Sequence, residues 1–512
     1  MHTPTDIAIV GLGPVGAALA ARLGARGLRV AVFEQSTKPH TLPRAAHLDE
    51  DALRVLQSVG ILDDLLDHGR PIDGFDLVNA KRARLLRARP RPRWPVNLPA
   101  GLLIHQPTVE TALRARLDEL ATVDVYMGHT IERIEPDAEG VTVSGTAAAP
   151  FSIRATYVVG CDGARSVVRE AMGSPLRGGR FEQTWLVVDA LVPEDAPLPN
   201  RLLQIANPRQ PATYVPFPGR RRRWEFKLAD CEDAALLRQP DAVRERLSAW
   251  IDPVQVEIER ATLYTFHDLT AQGWRKDRVL IAGDAAHQMP PFLGQGLGAG
   301  LHDSATLAWM LELVVRGAAD PTLLDVYEAE RRPHVEATTR LAVRLGRLIS
   351  ASGPLAHLRN ALLGLANRIG LGPRLRSIEA PLPRVETALA TWLTPNHGPS
   401  WRPDEARLPQ PMVGRGDAVL RLDDVLGLGF AVIGIGLDAE TWAGQDPVWR
   451  QLEATCVTLG AGVWDPDGLL TAWASAEPCV IVARPDRLVF GIYKRHAKAQ
   501  AVADLRRALS LR

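Results

Sequence analysis

Three glycines near the N-terminus constrain the fold of this chain more than any other feature. A short apolar run over residues 7–10 ends in the pattern Gly11-x-Gly13-x-x-Gly16, and an Ala- and Leu-rich stretch follows it. In such a strand–turn–helix unit, the first glycine permits the tight turn and the second lets a pyrophosphate approach the backbone. The third allows the helix to pack closely on the strand. The sequence therefore predicts a βαβ unit that binds a dinucleotide.

An acidic residue at the end of the next apolar run fits this interpretation. Residues 29–33 lead into Glu34, which lies 21 positions after Gly13. A carboxylate at that place can accept hydrogen bonds from ribose hydroxyls, and it favours an unphosphorylated ribose, as in FAD or NAD, over NADP. The helix that begins at Pro14 and Val15 would offer its free N–H groups to the phosphates.

Composition sets the broad class of the protein. The chain has 512 residues, of which 46% are hydrophobic and 23% charged, so we expect about three globular units or one large composite protein. A formal net charge of +1 provides no overall field that would attract nucleic acid or anionic lipid. The N-terminus has no signal-peptide pattern, and no apolar stretch reaches the roughly 18 residues of a membrane span. We therefore expect a cytoplasmic protein without nucleic-acid or membrane partners.

The cysteines give no sign of a metal or disulfide site. Cys161, Cys231, Cys456 and Cys479 lie far apart and form no CxxC pair. This spacing disfavours a zinc site or a disulfide framework, so no metal is expected.

Two later motifs also follow strand-like runs. The first is Gly160-Cys161-Asp162-Gly163, and the second is Gly283-Asp284-Ala285-Ala286-His287. The second continues through Pro290-Pro291 and a glycine-rich turn over residues 294–300. In this order and spacing, the three motifs resemble those of the FAD-dependent aromatic hydroxylases, flavoprotein monooxygenases of the p-hydroxybenzoate hydroxylase type. Residues 43–63, 185–189, 223–226 and 327–334 are similar to the 3-(3-hydroxyphenyl)propionate hydroxylase branch.

The resemblance implies the architecture. We expect an α/β fold in which a Rossmann-like FAD-binding domain is interlaced with an antiparallel β-sheet substrate domain, plus a C-terminal thioredoxin-like domain without redox cysteines. The expected boundaries are 1–180 for the first part of the FAD-binding domain, 181–275 for the mainly antiparallel substrate domain, 276–400 for the rest of the FAD-binding domain with long helices, and 408–512 for the thioredoxin-like domain. Residues 371–411 are rich in Pro and Arg, which is typical of a linker or wrapping arm.

The same resemblance implies where the cofactor binds. Non-covalent FAD is expected to contact Gly11, Gly13, Pro14, Val15, Gly16, Glu34, Arg44, Gln106, Asp162, Asp284, Pro291, Gly294, Gly296 and Leu297. Asp284 follows a strand end, where a carboxylate can bind a ribityl hydroxyl of FAD. The helix that begins in the turn over residues 294–300 can stabilise negative charge on reduced flavin through its N-terminus. Asp162 could also cap a helix over residues 163–171, which is compatible with a role at the cofactor.

Some other positions have more than one possible interpretation. His47 is a candidate for substrate contact, although a lone histidine is more often structural. The basic run over residues 220–223 could steer NADPH or a carboxylated substrate, although such a run is more often a solvated hairpin. Gly298 stands where relatives commonly carry Asn. No residue can be assigned as catalytic acid or base from the sequence.

The resemblance also implies the reaction. NADPH or NADH would reduce the FAD, and reduced flavin with O2 would form a C4a-hydroperoxide that transfers one oxygen atom to a small phenolic substrate. The enzyme could act as a homodimer. An alternative is a flavin monooxygenase that tailors a polycyclic or non-aromatic secondary metabolite. A halogenase is disfavoured because no Trp-x-Trp-x-Ile-Pro stretch is present, and a non-enzymatic scaffold is disfavoured by the intact cofactor motifs.

Overall fold

The first 34 residues form the strand–helix–strand unit that the glycine pattern predicts. Strand Thr5–Val10, helix Pro14–Ala25 and strand Val30–Glu34 follow one another, and the two strands pair in parallel. The computed structural model describes residues 5–39, 43–89, 97–229, 232, 239–368, 378–379, 407–474 and 477–512.

This unit lies within an eight-stranded sheet. Five of its strands run in parallel, in the spatial order Val279–Ile281, Pro150–Gly160, Thr5–Val10, Val30–Glu34 and Val123–Met127. The antiparallel strands are Arg275–Lys276, Val141–Thr146 and Thr130–Pro136. Helix Pro14–Ala25 packs against helices Gln106–Asp118 and Gly296–Val315. Most of helix Gly296–Val315 is buried, which agrees with a sequence that is mainly apolar and carries few polar residues such as Asp303 and Glu312.

A second, nine-stranded sheet forms a separate layer. Its strands lie in the order His287–Gln288, Glu257–Ala271, Leu176–Leu191, Arg221–Lys227, Ala212–Val215, Leu202–Ile205, Phe75–Val78, Arg84–Arg89 and Ile378–Glu379. Most neighbours are antiparallel. Side chains alternate between its faces, and Tyr214, Trp224 and Phe226 pack in a buried cluster on one face. The other face is therefore free to form the wall of a site.

Shorter elements join the two sheets. Strand Gly101–Leu103 lies between His47–Asp49 and Arg70–Ile72 in a three-stranded sheet. The remaining helices before residue 370 are Glu50–Ser58, Leu62–His68, Val167–Met172, Pro240–Leu247, Asp325–Ile349 and Gly353–Arg368.

The C-terminal part has its own sheet of four strands. Ala431–Ile435 pairs in parallel with Thr455–Leu459 and antiparallel with Cys479–Ala483, which pairs with Val489–Tyr493. The flanking helices are Leu422–Leu426, Ala439–Ala443, Pro447–Gln451, Leu469–Ala474 and Lys498–Ala508, and Met412–Arg415 pairs with Ala418–Arg421 in a hairpin. This part contacts the rest through buried ion pairs: Arg484 with Glu330 and Arg54 with Asp423, both at 2.8 Å.

The expected α/β architecture with an interlaced antiparallel sheet is confirmed. Strands Phe75–Val78, Arg84–Arg89 and Glu257–Ala271 were not predicted, and the last mixes polar and apolar side chains without clear alternation. The long helices expected within residues 276–400 include Asp325–Ile349 and Gly353–Arg368. Most of the Pro- and Arg-rich stretch 371–411, as well as Cys231, lies outside the described residues. Because the chain crosses repeatedly between the sheets, the four domain boundaries stay predictions. None of the described helices is both long and apolar enough to span a membrane.

Candidate active site

The three glycines of the first turn meet different surroundings. A Cβ on Gly11 would lie 2.4 Å from the carbonyl oxygen of Cys161, and Gly11 has a φ of +102°. A Cβ on Gly16 would lie 2.0 Å from the carbonyl oxygen of Gly11. By contrast, no described atom lies within 4 Å of a Cβ placed on Gly13. Gly11 and Gly16 therefore serve close packing of the backbone, whereas Gly13 leaves room beside the N-terminus of helix Pro14–Ala25.

A cavity of about 480 Å³ opens at this point, between the glycine turn and the nine-stranded sheet. Most of the predicted site residues line it: Gly13, Pro14, Val15, Arg44, His47, Gln106, Asp284, Pro291, Gly294, Gly296 and Leu297. The structure thus brings together residues from the first turn, the second motif and the glycine-rich turn. Gly11, Gly16, Glu34 and Asp162 are not among the lining residues.

Glu34 holds the glycine turn through its side chain. Its carboxylate accepts hydrogen bonds from the backbone N–H of Leu12 at 3.0 Å and of Ser36 at 2.9 Å. These two bonds fix the carboxylate at the carboxyl end of strand Val30–Glu34. Ribose binding by Glu34 stays a prediction.

Asp162 points into its own segment of the chain. It accepts hydrogen bonds from the hydroxyl of Ser166 and from the N–H of Val168 at 3.2 Å. The alternative of an Asp162 N-cap was wrong, because helix Val167–Met172 begins later than expected and Ser166 caps it. Burial raises the pKa of Asp162 above its ordinary value. Its neighbours Cys161 and Gly163 line the cavity, so this motif contributes backbone to the site.

Asp284 stands at the cavity wall in the turn that follows strand Val279–Ile281. Its side chain is exposed to the cavity although it lies deep in the fold. Burial raises the pKa of Asp284, and the charges of His287 and Arg44 oppose this effect. A carboxylate placed in this way can accept hydrogen bonds from the hydroxyls of a bound ligand.

A buried ionic network supports the Asp284 turn from behind. Asp303 accepts a hydrogen bond from the N–H of Gly283 at 3.0 Å and lies 2.6 Å from Nε2 of His287. Arg331 donates to Asp303 at 2.9 Å and to the carbonyl of Ala299 at 3.1 Å. The positive charges of His287 and Arg331 lower the pKa of Asp303 to about 2, against the opposing effect of its burial. The network fixes the turn to helix Gly296–Val315.

Sequence reasoning missed this network. Arg331 lies in a segment that carried the family resemblance, and Asp303 lies three residues after the glycine-rich turn, but neither residue was given a role. Their separation of 28 positions hides the contact, since only the packing of two helices brings the side chains together.

Gln106 and Arg44 meet at the same loop. The side-chain oxygen of Gln106 accepts hydrogen bonds from the N–H groups of Arg44 at 3.1 Å and Ala45 at 2.7 Å. Its amide nitrogen donates to Glu110 at 2.8 Å. Gln106 therefore holds the backbone of the loop, while the exposed side chain of Arg44 is left to contact a ligand. Direct FAD contact by both residues stays a prediction.

The basic run 220–223 begins in the turn of an antiparallel hairpin, where Arg220 is exposed, so the expectation of a solvated hairpin holds for its first residue and is wrong for its last two. Arg222 and Arg223 are buried, because alternate residues of strand Arg221–Lys227 face the protein on both sides of the sheet. Arg223 donates to Asp189 at 2.7 Å and to the carbonyl of Pro43 at 2.6 Å. Arg260 donates to the same two residues. This ionic cluster holds the Pro43–Arg44 backbone opposite Gln106.

His47 lines the cavity beside the glycine-rich turn. Its Nδ1 lies 3.5 Å from the carbonyl oxygen of Gly294, and burial lowers the pKa of His47. Gly294 has a φ of +65° and precedes helix Gly296–Val315, whose first residues line the same cavity. The ring therefore contacts the turn that presents the helix N-terminus. Contact with substrate stays a prediction.

These features fit FAD. The open space at Gly13 admits a pyrophosphate beside the start of helix Pro14–Ala25, where free N–H groups and the helix dipole favour negative charge. The start of helix Gly296–Val315 gives a second positive helix end on the same cavity. Asp284 offers a carboxylate between the two. In the described part of the chain, no group of three or more His, Cys, Asp or Glu side chains could hold a metal ion.

Comparisons with known proteins agree with this site. Residues 4–342 match the family described as FAD binding domain, and residues 406–508 match the HcaD C-terminal domain. The "Probable NADH-specific resorcinol 4-hydroxylase" of Rhodococcus jostii (strain RHA1) is 34% identical, and the match covers 97% of this chain and 94% of that protein. The "3-(3-hydroxy-phenyl)propionate/3-hydroxycinnamic acid hydroxylase" of Mycolicibacterium smegmatis (strain ATCC 700084 / mc(2)155) is 36% identical, with 96% and 91% covered.

Solved structures share the fold over nearly the full length. Aklavinone-11 hydroxylase, crystallised with FAD and aklavinone, superposes with a TM-score of 0.80 at 22% identity, covering 99% of this chain and 100% of that chain. OxyS anhydrotetracycline hydroxylase from Streptomyces rimosus superposes with a TM-score of 0.77 at 24% identity, covering 99% of each chain. Together with the cavity and the sequence matches, these findings establish that the chain belongs to the FAD-dependent aromatic hydroxylases, flavoprotein monooxygenases with an FAD binding domain over residues 4–342.

Proposed function

We propose that this enzyme hydroxylates a one-ring phenol, with NADH as the reductant and O2 as the oxygen donor. One observation carries the proposal: the cofactor motifs and the inner face of the nine-stranded sheet line a single cavity. A ring bound against the sheet would therefore adjoin the cofactor. The names of the relatives above 30% identity support a phenolic substrate, and one of them is named NADH-specific.

FAD in this cavity would supply the hydride acceptance and the O2 activation that amino-acid side chains cannot provide. Gly13 and the start of helix Pro14–Ala25 would hold its pyrophosphate, and Asp284 a hydroxyl of its chain. The helix end at Gly296 and Leu297 would stabilise negative charge on its ring system. The protein then has to position the phenol and exclude water. The walls suit that task, since Val187, Val215 and Phe266 are among the apolar lining residues.

The comparisons with known proteins also bear on the alternative of a polycyclic or non-aromatic substrate. Aklavinone-11 hydroxylase and anhydrotetracycline hydroxylase are named for polycyclic compounds. They are no more than 24% identical to this chain, so their structures support the fold alone. The relatives above 30% identity favour the one-ring phenol.

We further propose that the C-terminal part is a thioredoxin-like domain with a structural role. A parallel strand pair, followed by an antiparallel hairpin and a closing helix, supports this assignment. The reductant NADH supports a cytoplasmic location, because the nicotinamide pools are kept inside the cell.

The test is NADH consumption by purified FAD-loaded enzyme across a panel of phenols, with product mass measured for each. We expect one phenol or more to accelerate NADH consumption and to gain one oxygen atom. If a yellow, FAD-loaded enzyme consumes NADH equally with and without every phenol and forms no product, the proposed function is wrong.

A further inference from the structure

One arginine of the C-terminal part is buried against the FAD binding domain. Arg484 follows strand Cys479–Ala483, and its side chain is almost fully buried. Its guanidinium donates to the carboxylates of Glu330 at 2.8 Å and of Asp486 at 3.0 Å. The guanidinium carbon lies 5.0 Å from the centre of the Trp309 ring. Burial disfavours the charge, but the two carboxylates outweigh this effect and raise the pKa of Arg484. Arg484 therefore stays charged in the interior, and its contacts fix its position.

The contacts of this arginine reach two long helices of the FAD binding domain. Glu330 belongs to helix Asp325–Ile349. Trp309 belongs to helix Gly296–Val315, whose first residues line the cavity. The indole N–H of Trp309 also donates to Asp486 at 3.3 Å. The C-terminal part therefore holds the two helices from the side that faces away from the nine glycine-turn residues' cavity.

The next residue of the helix continues these contacts towards the cavity. Arg331 directly follows Glu330 and donates to Asp303 at 2.9 Å. Asp303 accepts a hydrogen bond from the N–H of Gly283 at 3.0 Å, in the turn that carries Asp284. Neighbouring residues point about 100° apart around a helix, so Glu330 can contact the C-terminal part while Arg331 contacts the Asp284 turn. Buried ionic contacts thus extend from the C-terminal part to the cavity wall.

A proline makes this part of the helix depend on its side-chain contacts. Pro333 lies inside helix Asp325–Ile349 and has no N–H, so the carbonyl of Ala329 loses its intrahelical donor. The helix backbone is therefore less firmly bonded beside Glu330 and Arg331. The ion pairs of these two residues then contribute more to the position of the helix than they would in an uninterrupted one.

We propose that Arg484 is a positioning residue of the FAD site, through which the C-terminal part keeps the Asp284 turn and the start of helix Gly296–Val315 in place for the cofactor. Arg484 is not among the residues that line the cavity, so it acts through the ion pair of Arg331 and Asp303. This inference rests on the placement of FAD in the proposed function. It gives the C-terminal part a role in cofactor binding that needs no redox cysteine.

The consequence of losing the guanidinium follows from the charges around it. Glu330 and Asp486 would remain as two buried carboxylates without the cation that they share. Like charges in the interior repel, so one carboxylate takes up a proton or the two move apart. Either change releases Glu330 from the C-terminal part, and the neighbouring Arg331 no longer holds the Asp284 turn in one position.

The test uses the full-length enzyme and compares Arg484→Met, which removes the charge, with Arg484→Lys, which keeps it. Glu453→Gln is the matched control, because Glu453 also joins the C-terminal part to the FAD binding domain. It pairs with Arg316, at the end of helix Gly296–Val315 that lies away from the cavity. Asp284→Ala reports on the FAD site itself. The readouts are the Kd for FAD, the hydroxylated product formed per NADH consumed, the visible circular dichroism of bound flavin and the melting temperature.

We expect Arg484→Met to raise the Kd for FAD roughly two- to thirtyfold, the range for residues that act through a network. It should also change the flavin dichroism and lower the product formed per NADH. Arg484→Lys should lie closer to the wild type, and Glu453→Gln should lower only the melting temperature. If Glu453→Gln raises the Kd as much as Arg484→Met does, FAD binding follows overall stability and the inference is wrong.

Two further outcomes separate this inference from the placement of FAD. A folded Arg484→Met with wild-type Kd and product yield overturns the inference, while a weakened Kd in Asp284→Ala keeps the placement of FAD intact. An unchanged Kd in Asp284→Ala refutes that placement. If Arg484→Met does not fold, Glu330→Gln takes its place, because it removes one carboxylate and leaves Arg484 paired with Asp486. A folded Glu330→Gln that binds FAD and forms product like the wild type also overturns the inference.

Discussion

The guanidinium of Arg223 lies 2.7 Å from the carboxylate of Asp189 on the neighbouring strand, and both side chains are almost fully buried. The same guanidinium donates to the carbonyl of Pro43, in the loop that carries Arg44 to the cavity. One ion pair thus connects the nine-stranded sheet to a loop that lines the cavity. The position of the loop depends on this pair and on Gln106, which holds it from the other side.

We predict that Asp189→Asn destabilises the enzyme strongly, because it removes the buried carboxylate that the guanidinium groups of both Arg223 and Arg260 contact. Breaking a buried pair costs about 3–5 kcal/mol in free energy of unfolding. Asp73→Asn is the control, since Asp73 pairs with Arg201 at an exposed position, where a pair is worth about 0–1 kcal/mol. Chemical denaturation measures both. Equal stability of the two variants would mean that the buried cluster does not anchor the loop.

The glycine turn provides a separate pair of variants. Gly13→Val should give a folded but colourless protein, because the new side chain occupies the space beside the helix N-terminus and meets no described atom. Gly16→Ala should lower the thermal stability instead, since its Cβ would lie 2.0 Å from the carbonyl oxygen of Gly11. FAD absorbance and the melting temperature of the apoprotein distinguish the two effects. Full FAD occupancy in Gly13→Val would refute the placement of the pyrophosphate.

We expect replacement of Asp284 to weaken FAD binding and to leave the stability of the fold nearly unchanged. The side chain faces the cavity and contributes no core packing, so Asp284→Ala should leave the melting temperature of the apoprotein nearly unchanged. Loss of one charged hydrogen bond, worth roughly 1.5–3 kcal/mol, should weaken FAD binding about ten- to hundredfold. Titration of the apoprotein with FAD measures this, and an unaltered Kd would contradict the assignment.

Glu50 gives a prediction about pH. Burial, with the negative charges of Asp51 and Asp49, raises the pKa of Glu50 from 4.5 to about 7, against the opposing effect of Arg407 and Arg54. The folded state therefore holds this proton more tightly than the unfolded state, and stability is lost as the pH rises from 4.5 to about 7. Glu50→Gln removes the charge, so it should raise the melting temperature by a few degrees at pH 8 and hardly at all at pH 4. A stabilisation of equal size at both pH values would exclude this mechanism.

The two C-terminal thiols should be dispensable. Cys456 and Cys479 lie on the two strands that flank Ala431–Ile435, opposite Val432 and Ile435. Two strand spacings, roughly 10 Å, separate these strands, which exceeds the reach of a disulfide. The double variant Cys456→Ser/Cys479→Ser should therefore hydroxylate at close to the wild-type rate. A loss of turnover with FAD still bound would assign these thiols a role that the structure does not explain.

The sequence was sufficient to identify the glycine-containing motifs that line one side of the cavity. The glycine turn, Asp284 and the helix start at Gly296 belong to short contiguous motifs, in which each residue type follows from local backbone geometry. Their convergence on one cavity follows from the parallel sheet, because strands that run in one direction end at the same edge.

The part of the cavity that the nine-stranded sheet forms could not be predicted in this way. Asp189, Arg223, Arg260 and Glu225 come from three strands, and their relation depends on register rather than on spacing in the chain. Read alone, the run 220–223 resembles a charged surface turn. Only the alternation of side chains across a sheet that includes the unpredicted strand Glu257–Ala271 shows that Arg223 is buried. The same holds for Asp303 and Arg331, which meet only once two long helices have packed.

The most direct test of the central claim is isotopic. The FAD-loaded enzyme is incubated with NADH and a phenol under ¹⁸O2, and the product is analysed by mass spectrometry alongside NADH consumption. We predict a hydroxylated phenol that carries one ¹⁸O atom, formed only when phenol, NADH and FAD are all present. Phenol-independent NADH consumption without product, or a product whose new oxygen comes from water, would contradict the assignment as a flavoprotein monooxygenase.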